Sequence, residues 1–454
     1  MKFFLFLFII KTEVKIVYKP LFESKFFLYN IAQKLTFKPK NFRVKNLLIK
    51  DRDSIVLSES LRRLKNTGIF SEIENFKKND TLIIKLRPLF TLALFFSFEG
   101  GGGLTQKGIG LWEHNLLGLL FDIRVNYIWG YEYPYFYLQS FYPEFFKNHD
   151  ISTFFLNSKN SKTKSLSILP YISPYTNERI FLNYTDYYKK DFLYEKGFIV
   201  DSFESKGKNL GVEISKSFEK IPPFFPSIGY GFTKLNNNNY HFLQIGFEID
   251  KTKTKETKFI KNFGETEYMK KGLFLKINIY KNIKSRIKGL EGKIMYNNFK
   301  KNYNSINHLT YKNFIEMSLN LKSSNYFIIK NFIVLAFLLS YEKMWKLRNN
   351  TFHRYLGGLY GLRGYKAFYY RTSNYILNIS EIRLYFNELF ELFKPGIVFF
   401  IDNSYMFDRK TFAFSYGFGI RIELTKSFNL PVLRLDFGFS EEGKYISFGE
   451  GKSF

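Results

Sequence analysis

The sequence has no cysteine among its 454 residues. That excludes a disulfide framework, a thiolate zinc site and a cysteine nucleophile. Histidine is scarce. His114, His149, His241, His308 and His353 are scattered, with no HExxH and no close pair, so metal ligation is not expected. Long apolar runs are missing too. A helix crosses a bilayer with about 20 mostly apolar residues, and the longest pure run beyond the N-terminus is Phe332 to Leu339. There is no GxSxG elbow. No Gly-Lys-Ser/Thr follows the glycines at 100–103, so a strand connection is the better reading there than a phosphate loop. The chain presents no catalytic constellation and calls for no cofactor.

Acidic side chains are also few beside basic ones, 40 against 68, which leaves a net charge of +28. The lysines gather in polar breaks, at 251–258 and 281–288, and form no single helical face. Solvated loops explain them better than nucleic acid does, and phosphate at a membrane rim is an intermediate reading. Aromatic residues, by contrast, are abundant at 20% of the chain, and the 45% hydrophobic content argues against disorder.

Residues 3–10 are apolar after Lys2, like a short signal-peptide core, but Lys11-Thr-Glu-Val14 offers no small-x-small cleavage site. A buried strand is the alternative. We therefore take 1–12 as a possible signal segment. Residues 13–88 read as a small α+β domain in the order strand, two helices, two strands. The helices are expected near Ser24–Lys34 and Ser54–Asn66, where Leu57, Leu61 and Leu64 make one apolar stripe. Gly68 supplies the C-cap.

Beyond residue 89 the periodicity changes to two. Leu119, Phe121, Ile123, Val125, Tyr127 and Trp129 alternate with polar residues including Asp122, Arg124 and Asn126. Between 411 and 424 every even position is apolar, whereas the odd ones are Thr, Ala, Ser, Gly, Gly, Arg and Glu. Leu433, Leu435, Phe437 and Phe439 alternate with Arg434, Asp436 and Gly438. Strands of about 10 residues, apolar on one face and small or charged on the other, are the pattern of a transmembrane β-barrel. Closure removes sheet edges that lipid does not tolerate, and the aromatic load suits the two bilayer interfaces.

Several motifs then carry a resemblance. Ser58-Glu-Ser-Leu-Arg-Arg-Leu-Lys-Asn-Thr-Gly-Ile-Phe-Ser71 resembles the second helix of a POTRA (polypeptide-transport-associated) domain. The glycines at 100–103 and Gly110-Leu-Trp-Glu-His-Asn-Leu-Leu-Gly118 resemble first barrel strands. Gly357-Gly-Leu-Tyr-Gly-Leu-Arg-Gly-Tyr365 resembles an inward loop built on an apolar residue, Arg, Gly and an aromatic. Ser380-Glu-Ile-Arg383, Phe400-Ile-Asp402, Gly417-Phe-Gly419 and Gly449-Glu-Gly-Lys-Ser-Phe454 follow in order. Together they resemble the BamA/TamA-type superfamily of outer-membrane assembly and translocation proteins, over nearly the whole chain.

The resemblance implies a mainly β fold: one POTRA domain at 13–88, then a sixteen-stranded antiparallel transmembrane β-barrel at 89–454. Its last five strands are expected at 373–386, 395–407, 411–424, 431–439 and 444–454, whereas 149–175 and 283–305 do not map cleanly and read as loops or hairpin extensions. The resemblance places Leu362, Arg363, Gly364 and Tyr365 in the lumen. Arg363 would meet a carboxylate of the barrel wall. If Ile397, Phe399 and Ile401 face lipid, Asp402 faces inward and is the first candidate partner. Glu381 is the second, with a bulge near Ser380 reconciling its strand's mixed parity. Gly417 and Gly419 would leave room for the loop, and a wet lumen would partly solvate the pair. Phe448, Gly451 and the terminal Phe454 would mark the last strand for assembly.

The implied activity is assembly or insertion of outer-membrane β-proteins. Unfolded clients would be received by the POTRA domain and by the seam between the first and last strands. The alternative is a two-partner-type secretion pore for one dedicated partner protein, and a third possibility is a plain structural porin or adhesin. Outer-membrane lipid and accessory assembly subunits are further expected contacts, with the N-terminal domain in the periplasm and no nucleic acid involved.

Overall fold

The computed structural model describes residues 13–20, 34, 36–48, 61, 64, 67, 69–78, 81–101, 103–130, 133–146, 149–170, 178–216, 224–235, 238–257, 267–283, 288–300, 303–313, 317–330, 332–345, 354–358, 361–390, 393–424 and 432–450. The chain divides into two compact units. The first lies within residues 1–93 and also takes in Glu113–Asp122. Its elements are β1 (Glu13–Tyr18), α1 (Asn41–Leu47), β2 (Phe70–Lys78) and β3 (Thr81–Pro88). Strand β3 is central, parallel to β1 and antiparallel to β2. Alternation on β3 buries Ile84 and Leu86, and Val44 and Leu47 of α1, with Leu64 and Ile69, pack over them. Leu120 completes this core from the Glu113–Asp122 segment.

This corrects the expected domain. The described residues of 13–88 make a small three-stranded sheet and one short helix, and no POTRA domain is evident. Most of the stretch that carried the resemblance, with nearly all of both expected helices and the Gly68 cap, lies outside the described residues. A core finished by Leu120, far along the chain, is also not a signal that a local apolar stripe contains.

The second unit is a closed antiparallel barrel. Its strands begin with β4 (Leu92–Gly101), β5 (Leu104–Leu116), β6 (Phe121–Trp129), β7 (Pro134–Phe146), β8 (His149–Ser158) and β9 (Ser161–Pro170). They continue with β10 (Glu178–Glu195), β11 (Phe198–Lys216), β12 (Phe224–Leu235), β13 (Asn238–Asp250), β14 (Lys253–Thr257) and β15 (Glu267–Asn282). Next are β16 (Lys288–Phe299), β17 (Tyr303–Asn313), β18 (Met317–Lys330) and β19 (Ile333–Trp345). A two-stranded ribbon, β20 (Arg354–Leu356) with β21 (Tyr370–Thr372), interrupts the series outside the wall. The wall ends with β22 (Asn374–Tyr385), β23 (Phe393–Met406), β24 (Thr411–Leu424), β25 (Leu433–Ser440) and β26 (Gly443–Glu450).

Short β14 continues β13 along the same strand, β15, so the barrel has twenty strands and not the sixteen expected. The two segments read as loops or extensions are wall. Residues 149–170 form the β8–β9 hairpin, and 288–313 supply β16 and β17. Their mixed composition hid them: Ser, Asn, Thr and Lys stand where strict alternation would have put apolar residues.

The period-two stretches behave as expected. Phe412, Phe414, Tyr416, Phe418, Ile420 and Ile422 stand exposed on the outside of β24, whereas Ala413, Ser415, Gly419, Arg421 and Glu423 are buried inside. Outward aromatics meet across strands, as with Phe418 and Phe437, stacked 5.1 Å apart. No helix among the described residues is long and apolar enough to cross a membrane, whereas apolar-out, polar-in strands closed on themselves are the outer-membrane type of span. Ile401→Arg, at the middle of the outer face of β23, should therefore cost about 2–4 kcal/mol in lipid. Phe412→Arg, on the outer face beside a turn, should cost far less, with both read as unfolding midpoints from heat-modifiable gel migration.

Candidate functional site

Between β19 and β22 the chain turns into the barrel. Gly357, Gly358 and Gly361 adopt φ of 123°, 62° and 109°, conformations that side chains rarely permit. They deliver Leu362, Arg363, Gly364 and Tyr365, of which Leu362 and Tyr365 are fully buried and Arg363 is 2% exposed. Leu362 and Tyr365 belong to one apolar cluster with Leu377 and Ile379 of β22, Met406 of β23 and Ala413 of β24. The Tyr365 hydroxyl accepts from the Phe414 N–H at 3.2 Å. The Ser440 hydroxyl donates to the Gly364 carbonyl at 2.5 Å.

Arg363 meets both candidate carboxylates. Its Nε and Nη2 donate to Asp402 at 2.8 and 2.6 Å, and its own backbone N–H adds a third bond to Asp402 at 3.1 Å. Nη1 donates to Glu381 at 2.7 Å. The guanidinium lies 3.5 Å from the centroid of the Phe400 ring. Such a bidentate arrangement fixes direction as well as adding energy. Burial opposes the guanidinium charge, but the Asp402 and Glu381 carboxylates outweigh it and raise the Arg363 pKa further above its ordinary range.

The pairing extends beyond these three residues. Arg383 bonds the other oxygen of Glu381 at 2.8 Å. Asp436 of β25 lies 3.9 Å from Arg363 and 2.7 Å from Arg421 of β24. Four successive strands are thereby joined through charges that are all nearly or wholly buried. Asp402 is 0% exposed, so the pair is not solvated by a wet lumen as expected. The bulge expected near Ser380 is absent as well: β22 runs in unbroken register with β19 and β23. Leu377 and Ile379 share the inward parity of Glu381 because the loop itself is apolar there and covers them.

The glycines divide differently from expectation. A Cβ on Gly438 would come within 2.5 Å of the Arg363 carbonyl, so it is Gly438 that the loop backbone lies against. Gly417 instead makes space for the Phe400 ring and the Phe437 carbonyl, and Gly419 for Asp436 and Arg421. Sequence reasoning missed Asp436, Arg421, Arg383 and Gly438. The inward parity of β24 and β25 was the signal that contained three of them. Phe448 stands opposite Gly100, across the join between β26 and β4, whereas Gly451 and Phe454 lie outside the described residues.

The loop exit is held by Asp408 in the β23–β24 turn. It accepts from the Thr372 hydroxyl at 2.6 Å and from the Ser373 N–H at 2.8 Å. Burial works against its charge, but these hydrogen bonds prevail and keep its carboxyl below the usual range. A depressed pKa contributes stability above the unfolded value and loses it as pH falls through the folded one.

No family model matches the sequence, and no curated protein does. Among solved structures the chain is similar to BamA from Haemophilus ducreyi lacking POTRA domains 1–3, at 12% identity and a TM-score of 0.40, over 97% of this chain and 84% of that one. It is similar to CdiB from Acinetobacter baumannii at 11% identity and a TM-score of 0.42, over 97% and 74%. CdiB from Escherichia coli matches at 12% identity and a TM-score of 0.43, over 97% and 77%.

Arg363→Ala leaves Asp402 buried without its cation and Glu381 with Arg383 in place of two arginines, so it should destabilise the barrel by about 3–5 kcal/mol. Arg363→Met combined with Asp402→Asn, which keeps the Glu381–Arg383 pair, should recover much of that loss, and the double-mutant cycle should be strongly non-additive. Gly438→Ala should displace the loop, read by protease access, whereas Gly292→Ala, with open space around its Cβ, should not. Acidification below the carboxylate range should free the loop exit, and Asp408→Asn should abolish that pH dependence.

Proposed function

We propose that this protein assembles or inserts β-barrel proteins in the bacterial outer membrane, and that the join between β26 and β4 is where clients engage. The single observation that carries the reading is how the barrel closes: its first and last strands meet, with Phe448 of β26 opposite Gly100 of β4. These two strands are not consecutive in the chain, so pairing and no turn holds them together. Parting such a seam exposes unpaired N–H and C=O groups. An extended client can add to such an edge through main-chain bonds, which tolerate many sequences.

The loop supports this reading. It lies against β22 to β25, one strand away from the join, and its ion cluster makes that part of the wall stiff. Leu362, Arg363, Gly364 and Tyr365, with Asp402 and Glu381, then act as a brace that holds one side of the seam straight while the other moves. Gly417 and Gly419 serve the brace by admitting Phe400, Asp436 and Arg421. Phe448 sits at the parting edge. The work is mechanical and needs neither cofactor nor covalent step.

A secretion pore is the second reading, and the inner wall at β15 to β17 favours it. Lys276, Asn278, Glu291 and Lys312 face inward and interact with polar groups of Glu213, Tyr280 and one another, a lining suited to a hydrated path. The chain has no native cysteine, so one cross-link separates the two. Gly100→Cys with Phe448→Cys should lock the seam as a disulfide. Under the assembly reading the locked barrel fails to insert new outer-membrane proteins, and reduction restores it. Full insertion by a verified, fully locked barrel defeats that reading, and retained export of a partner protein then supports the pore.

A further inference from the structure

Strands β10 and β11 are 18 and 19 residues long, whereas about 9–11 residues cross a bilayer. The pairing of β10 with β9 covers Leu182 to Lys189, and beyond Lys189 β10 is paired to β11 alone. The hairpin closes on Lys196-Gly197 with φ of 49° and 78°, the two positive values that a type I′ turn requires. This projecting tip does not stand free. It reaches the loop that carries Arg363.

The Lys196 N–H donates to the Tyr369 carbonyl at 3.1 Å, and the Gly197 N–H to the Phe368 carbonyl at 3.3 Å. The Tyr194 N–H donates to the Tyr355 hydroxyl at 3.2 Å. The rings of Tyr194 and Phe368 lie 4.5 Å apart, and Lys366 sits 3.5 Å from the centroid of Phe198. Glu195 takes a bidentate pair from Arg409 of the β23–β24 turn at 3.0 and 3.1 Å, with Arg371 at 3.8 Å. Gly197 is required twice over. Its φ is positive, and a Cβ there would come within 2.7 Å of Lys366 and 2.8 Å of the Ala367 carbonyl.

We propose that the β10–β11 tip is a releasable clasp over the lumen loop, and that its release opens this end of the barrel to ions and small solutes. Closure follows from the contacts just described, which join three separate segments of one end: the tip, the loop and the β23–β24 turn. Releasability follows from their quality. The Glu195–Arg409 pair is about one-third exposed on both sides, and exposed pairs are weak. Phe198, Ile199 and Val200 remain 65%, 52% and 58% exposed, so the apolar contact of the tip rests mainly on the buried Tyr194 ring. The Arg363 cluster beneath is fully buried. Local opening begins where buried contacts are fewest, so the tip leaves before the loop moves. The clasp concerns the lumen and not the seam, and it goes beyond the assembly reading.

The test is single-channel conductance of the full chain in planar lipid bilayers, with potassium chloride as the probe and heat-modifiable migration as the check on folding. Glu195→Arg sets like charge against Arg409 and Arg371. It should raise the open-to-closed ratio up to about fivefold, the upper end of what one exposed but well-aligned ion pair contributes. Glu195→Arg combined with Arg409→Glu should lower the ratio again. Gly197→Val should open the channel without changing any charge. Lys196→Cys with Tyr369→Cys, once oxidised, should abolish openings, and reduction should restore them. Folded Glu195→Arg and Gly197→Val barrels as closed as wild type would overturn the proposal. A disulfide-locked barrel that conducts as freely as wild type would overturn it too.

Discussion

A guanidinium taken out of water inside a barrel must be matched on nearly every donor, and the wall around Arg363 is organised by that requirement. Asp402 occupies two side-chain nitrogens and the backbone N–H, Glu381 a third nitrogen, and the Phe400 ring lies against the planar group. Each carboxylate is in turn buried and would be costly alone. The cluster therefore forms as a whole or not at all. It fixes the loop and the relative placement of β22 to β25, because those strands supply the charges.

Close approach is the second constraint, and it follows from the first. To bring Arg363 within bonding distance of β22 and β23, the loop backbone must lie directly on β25, where only Gly438 leaves enough space. The missing side chains of Gly417 and Gly419 make volume for Phe400 and Asp436, both of which lie near the guanidinium. The apolar residues Leu377 and Ile379 then point inward, contrary to the usual rule for a lumen, since they meet the loop and not water.

Rigidity on this part of the wall lies close to the place where the barrel closes. The β25–β26 ladder is complete along both strands, and β26 meets β4 with Phe448 opposite Gly100. Those two strands are not consecutive in the chain, so main-chain pairing and no turn holds that join. At the end where the β10–β11 tip meets the loop, a buried cluster lies beneath an exposed clasp. The molecule places buried ion pairs where the loop meets the wall and an exposed one at the tip.

Alternation along single strands was legible without a structure, because the side-chain period of a strand is local and lipid punishes a violation at once. It placed Phe412 to Ile422 outside, Asp402 inside, and four of the last five strands within two residues of where they lie. The loop motif also stood out, being a dense run of glycines around one arginine. What the tertiary structure alone decided was everything that depends on which strand meets which. The number of strands rose to twenty because residues 149–170 and 288–313 pair although their composition is mixed. The small N-terminal sheet draws Leu120 from far along the chain. Asp436, Gly438 and the Lys196-Gly197 tip gained their places through registers and loop contacts spanning many residues. Such contacts leave no periodic mark, since their energy comes from partners that sequence neighbours do not share.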